Sequence, residues 1–248
     1  MPPSQGFLDA NGVSLHYALS GNSGRSVVLL HELGGTLNSW DEVAPRLAEH
    51  YRVLRYDQRG AGLSEKVRQE FTNDMLVEDF EALAAALSLP PPYHFVTVAA
   101  AATQALRFAE KYPDRVGALV LCNPAPGVDP SRAAVLDERA AFAAREGMRA
   151  SLPTTLALSY PPQLGERAAY EAYLGRYLAN MLYMLPKVRC PTMVVAGRHD
   201  TVRPHAGSAE LAKKIPGARF ALIDDGGHFL PTQAPRALTA LLREFLPR

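Results

Sequence analysis

Four short stretches carry the side chains of this chain that are suited to chemistry. His31-Glu32-Leu33-Gly34-Gly35 sets an imidazole and a carboxyl side by side in front of two glycines. Tyr56-Asp57-Gln58-Arg59-Gly60-Ala61-Gly62-Leu63-Ser64 places an acid and a guanidinium in a glycine-rich turn. Gly197-Arg198-His199-Asp200 and Gly226-Gly227-His228-Phe229 each hold a titratable group behind a glycine. Imidazole and carboxyl groups move protons near neutral pH, and a carboxylate beside a histidine sets its tautomer. The two cysteines, Cys122 and Cys190, stand alone in apolar runs and make neither a disulfide framework nor a metal motif. Burial is their expected role, and no metal site is expected.

The elements that must position these groups are legible in the hydrophobic pattern. Asn11-Gly12, between extended segments at 7–8 and 13–17, is a hairpin signal because both residues tolerate positive φ. The continuous apolar run at 26–30 predicts a strand buried on both faces. Helical spacing of Trp40, Val43, Ala44 and Leu47 predicts a helix over 40–50. Residues 52–56 read as the next strand. Asn73-Asp74 open an amphipathic helix to about Leu89, stopped by Pro90-Pro91-Pro92. A strand at 94–98, a helix at 100–112 and a strand at 116–122, ended by Asn123-Pro124, come next. Strands at 192–196 and 219–223 and helices at 205–215 and 235–246 complete the chain.

Such alternation implies crossover connections and a mostly parallel sheet covered on both faces. Residues 127–187 interrupt the rhythm with a stretch rich in Ala, Leu, Arg and Tyr, read as an inserted helical cap. The core then comprises 1–126 and 188–248, a single domain overall. All four chemical stretches follow strand ends, where open α/β sheets bind their ligands.

In order and spacing these four motifs resemble the α/β-hydrolase superfamily. Within it they look most like short-lid 3-oxoadipate enol-lactone hydrolases and related carboxylesterases, along nearly the whole chain. The resemblance implies an α/β fold: eight mostly parallel strands, helices on both faces, and a helical lid over the strands' C-terminal edge. It implies a triad acid at Asp200, a triad histidine at His228, and an oxyanion loop at His31 to Gly35. Leu33 and Ala100 would then offer backbone N–H groups to an oxyanion. The family also carries a nucleophile in Gly-x-Ser-x-Gly on a sharp strand-to-helix turn.

There this sequence departs from the pattern. It reads Thr97-Val98-Ala99-Ala100-Ala101-Ala102, which puts Ala99 at the nucleophile position and Thr97 and Ala101 at the two glycines. No Ser, Cys or Asp lies between Leu89 and Leu121 except Asp114, at the far end of the helix. A methyl group forms no acyl-enzyme. The oxyanion loop also has Glu32 where the family usually has glycine. Several linked departures read as a natural variant rather than a single engineered substitution.

The expected function is an enzyme acting on a small apolar or carboxylated molecule without a covalent serine step. His228, oriented by Asp200, would activate water or abstract a proton. Glu32, partly buried near an apolar elbow, should have a raised pKa and could act as a general acid or base opposite His228, with its inward direction left open. Hydrolysis is the leading expectation. Lyase chemistry, cofactor-free oxygen chemistry of the kind some relatives perform, and non-catalytic binding of a small molecule stay open. Arg203 would bind a substrate carboxylate, and Tyr160, Met181, Tyr183 and Met184 would wall the lid. His31, Asp57 and Arg59 are expected to be structural, and His199 exposed.

Composition narrows the partners. The 248 residues carry a net charge of +1, 48% hydrophobic and 21% charged residues, so neither nucleic acid nor an acidic membrane is an expected partner. No apolar run approaches the ~20 residues that span a bilayer. The first residues lack a basic segment followed by an apolar one, so no secretory signal is expected. A cytoplasmic chain with no cofactor is the expectation, with a homo-oligomer left open.

Overall fold

Asn11 and Gly12 both take positive φ, 51° and 75°, and close the hairpin between β1 (Ser4–Ala10) and β2 (Val13–Ser20). This computed structural model describes residues 4–67, 70–125 and 182–247, with isolated positions between 138 and 153. The remaining strands are β3 (Ser26–Leu30), β4 (Arg52–Tyr56), β5 (Tyr93–Val98), β6 (Val116–Cys122), β7 (Thr192–Gly197) and β8 (Arg219–Ile223). They form one eight-stranded sheet in the order β1-β2-β4-β3-β5-β6-β7-β8. The β1–β2 and β2–β4 pairs are antiparallel and every other pair is parallel, the mostly parallel sheet expected from the sequence.

Every position of β3, β5 and β7 is buried, which is why these strands read as unbroken apolar runs. Helices α2 (Asn73–Ala86) and α3 (Ala102–Lys111) cover one face, where Phe80, Tyr93, Phe95 and Phe108 meet edge to face. The other face buries Trp40, Leu47 and Tyr51 with Leu238 and Leu242 of the C-terminal helix Pro235–Phe245. Each fully buried side chain of this size contributes roughly 1.5–3 kcal/mol.

Two helices differ from their sequence pattern. The stretch 40–50 forms a 3-10 turn, Leu37–Trp40, and a separate short helix α1, Ala44–Leu47. Thr36 and Ser39 close a capping box on the turn, and Pro45, lacking an N–H, is confined to the first turn of α1. Helix α2 stops at Ala86, short of the prolines, because Ser88 turns left-handed at φ 48°. Its start is capped by Thr72, whose hydroxyl accepts the Met75 N–H at 3.2 Å.

Most of the expected lid, 127–187, lies outside the described residues. So do Tyr160 and Met181 and the side chains of Tyr183 and Met184. A 3-10 helix, Leu182–Lys187, leads from it into β7. Among the described residues no helix is long and apolar enough to cross a membrane. Cys122 is fully buried and Cys190 half-buried, both as free thiols.

Candidate active site

The C-terminal ends of β3, β5, β7 and β8 bring the chemical groups together. Val98 is extended, then Ala99 reverses the chain at φ 50° and opens a 3-10 turn, Ala99–Ala101, that runs into α3. A non-glycine residue held left-handed at a strand-to-helix corner stores strain that surrounding contacts must hold. Here the Ala99 carbonyl accepts the Ala125 N–H at 3.0 Å. The methyl group is buried in the cluster that includes Val98, Trp40 and Phe229. Ala100 is the second residue of the turn, where an N–H has no acceptor within the turn itself.

His228 and Asp200 meet across two loops. The Nδ1 of His228 lies 2.8 Å from Oδ2 of Asp200, and both side chains are buried. Oδ1 of Asp200 accepts the backbone N–H groups of Val202 at 2.8 Å and Arg203 at 2.7 Å. The acid is thereby fixed, and with Nδ1–H donating to it, Nε2 is the ring nitrogen not engaged by the acid. The loops are laced by Arg198 N–H to Ile223 O and His199 N–H to Gly226 O, both 2.9 Å. Their approach is so close that a Cβ at Gly197 would overlap the backbone of Gly226 and Gly227.

Glu32 points inward. It is 1% exposed, and its Oε1 accepts the Ser39 hydroxyl at 3.0 Å. Oε2 has no partner among the described residues. Gly35 is required above it, since a Cβ there would overlap the carboxyl group. Burial pushes the Glu32 carboxyl up to about 6, against the opposing pulls of the Ser39 bond and of charge on His228. His31 supports the loop: its Nδ1–H donates to the Glu32 carbonyl at 2.8 Å, and its Nε2 accepts the Gln58 N–H at 3.1 Å. Burial holds His31 below its ordinary value. Leu33 stands at the tip with its side chain exposed, and the turn is closed by Gly35 N–H to Glu32 O at 2.9 Å.

Asp57 and Arg59 serve the turns. Asp57 accepts from Leu37 N–H at 2.7 Å, Leu63 N–H at 2.8 Å and His16 Nδ1 at 2.8 Å. Arg59 pairs with Asp79 in a fully buried contact. His199 is exposed. Arg203 is half-buried and meets the site through its backbone N–H on Asp200. Among the described residues no three His, Cys, Asp or Glu side chains gather as a metal site.

Asn123, legible in the sequence only as the end of a strand, belongs to this site. Its side chain bonds to both the His228 loop and the end of β7. An amide directly behind an apolar strand and ahead of a proline was the available signal.

A family model described as alpha/beta hydrolase fold matches residues 25–156, and one described as serine hydrolase matches 128–239. The N-formylmaleamate deformylase of Pseudomonas putida is 29% identical, across 97% of this chain and 96% of that protein. The enol-lactonase of Burkholderia xenovorans has a TM-score of 0.88 at 26% identity, covering 97% of this chain and 99% of its own. A hydrolase of Pseudomonas aeruginosa has a TM-score of 0.87 at 29% identity, covering 98% of each chain.

Proposed function

Since the chain belongs to the alpha/beta hydrolase fold family, we propose that it hydrolyses a small acyl compound without a covalent serine step, His228 activating water directly. The observation that carries this reading is the Ala99 elbow, left-handed and braced yet ending in a methyl group, in a fold that holds a formed His228–Asp200 pair. Ala99 carries no hydroxyl, so in this reading the attacking oxygen comes from solvent.

Nε2 of His228 takes a proton from water while the water oxygen bonds to the acyl carbon. The carbonyl electron pair moves onto its oxygen, stabilised by the N–H groups of Leu33 and Ala100, each donor worth about 3 kcal/mol. The electron pair returns, the bond to the leaving group breaks, and that group takes the proton back from His228, or takes one from Glu32, which His228 then reprotonates. A carboxyl group raised to about 6 holds a proton in mildly acidic conditions and can supply it.

Arg203 would pair with a substrate carboxylate, and Tyr160, Met181, Tyr183 and Met184 would close the pocket from a lid over 127–187. The relatives named deformylase and enol-lactonase support an acyl carbonyl as the reacting group. We read the chain as a single domain needing no cofactor, acting on a small molecule.

The test is turnover of esters, lactones and formamides by the wild type and by His228→Ala, followed by mass spectrometry. Consumption by the wild type alone, with oxygen from labelled water in the acid product, is the expected result. Products without that label would point to lyase or oxygen chemistry. Ligands that raise the melting temperature of both proteins without being consumed would make this a binding protein.

A further inference from the structure

Asn123 is fully buried at the end of β6, a strand that contributes neither His228 nor Asp200. Its Nδ2 donates to the carbonyl of Gly227 at 2.9 Å and to the carbonyl of His228 at 2.8 Å. Its Oδ1 accepts the Gly197 N–H at 2.9 Å, at the root of the Asp200 loop. Two carbonyls and one N–H around the amide settle which end is nitrogen.

The backbone here is as specific as the side chain. Asn123 N–H still bonds to Val195 O at 2.7 Å as a continuation of the sheet, then the chain turns left-handed at φ 44°. Asparagine tolerates this conformation better than most residues. The turn delivers Ala125, whose N–H holds the Ala99 carbonyl at 3.0 Å. One short segment therefore touches the elbow, the acid loop and the base loop.

We propose that Asn123 is the positioning residue of the site: its amide, with Ala125 behind it, sets the His228 loop, the Asp200 loop and the Ala99 elbow in one mutual arrangement. This rests on the reading of His228 as the base. The side-chain chemistry is narrow. An aspartate of the same shape lacks both donors, an apolar residue lacks donor and acceptor, and glutamine is one methylene too long. A loosened amide would let the His228 loop drift from Asp200, and displacements of about 1 Å in such sites cost on the order of a hundredfold in rate.

The deciding measurement is the nuclear magnetic resonance signal of the His228 Nδ1–H proton and its pH titration. It needs no substrate, so it stands whether or not the hydrolytic reading does. Asn123→Gly keeps the left-handed turn and removes the amide. Leu83→Ala, in the opposite hydrophobic cluster, serves as a control of general destabilisation. The expected result is loss of the Nδ1–H signal and a shifted His228 titration in Asn123→Gly, with both retained in Leu83→Ala. Once a substrate is known, kcat falls about a hundredfold in Asn123→Gly while KM stays within about twofold. An Asn123→Gly protein with the wild-type signal and titration overturns the proposal. So does equal loss in Leu83→Ala, which would make the effect one of stability. Should Asn123→Gly not fold, Asn123→Asp, which keeps the acceptor, is read by the same two criteria.

Discussion

The Ala125 N–H donates to the Ala99 carbonyl at 3.0 Å, so the chain leaving β6 braces a left-handed elbow that β5 and α3 alone would leave strained. The brace acts on backbone atoms and is indifferent to what the elbow carries.

A hydroxyl can therefore be placed there without rebuilding the turn. Ala99→Ser should change stability by less than about 1 kcal/mol, the scale of one hydroxyl finding a partner. Treated with an activated ester, the variant should gain the mass of the acyl group while the wild type stays unmodified. Intact-protein mass spectrometry reads the difference. No adduct on the serine would mean that His228 does not reach the elbow tip.

Asp200 sets the imidazole through one short bond while its other oxygen is held by two backbone N–H groups. Asp200→Asn should lower kcat by about 10³- to 10⁴-fold, as loss of the correct tautomer does in a histidine–aspartate pair. On the proposed mechanism His228→Ala should cost at least as much, and the double variant little more, since the pair would act as a unit. Additive losses in steady-state kinetics would contradict a shared role.

Glu32 makes stability depend on pH in an unusual direction. Its carboxyl titrates near 6 when folded against an ordinary 4.5, so the native state holds the proton more tightly. The stabilisation is fully present below 4.5 and is lost as pH rises through 6, a loss of about 2 kcal/mol. Glu32→Gln stays neutral throughout. Its melting temperature relative to wild type should rise across that window and level off above it. A flat difference would show that Glu32 does not titrate there.

His94 contributes with the opposite sign. Both ring nitrogens are buried without partners among the described residues, against Gly117. Burial, then charge on Arg25, lowers its pKa from 6.5 to about 4. The folded state resists protonation, so stability is present above 6.5 and is lost as pH falls through 4. His94→Leu should flatten the acid limb of a urea-midpoint profile. An unchanged limb would assign acid lability to other groups.

The sheet is closely legible in the sequence: the strands at 26–30, 52–56, 116–122 and 219–223 form with those bounds. Helix ends were less legible, because they depend on a capping box at Thr36 and a left-handed Ser88 rather than on periodicity. Glu32 was visible as a residue out of pattern, but its inward direction was not. That depends on Ser39 and Gly35 folding around it.

By itself the sequence determined the mostly parallel, doubly covered sheet and an alanine, with no hydroxyl, at the turn between β5 and α3. Unbroken apolar runs are stable only when buried on both faces, and a methyl group has no lone pair to donate. Only the tertiary structure decided that the Asn123 amide joins the loops carrying His228 and Asp200. The partners of Asn123 lie 74, 104 and 105 positions away in the chain, and hydrogen bonds of about 3 Å at such separations exist only after strands have been set side by side.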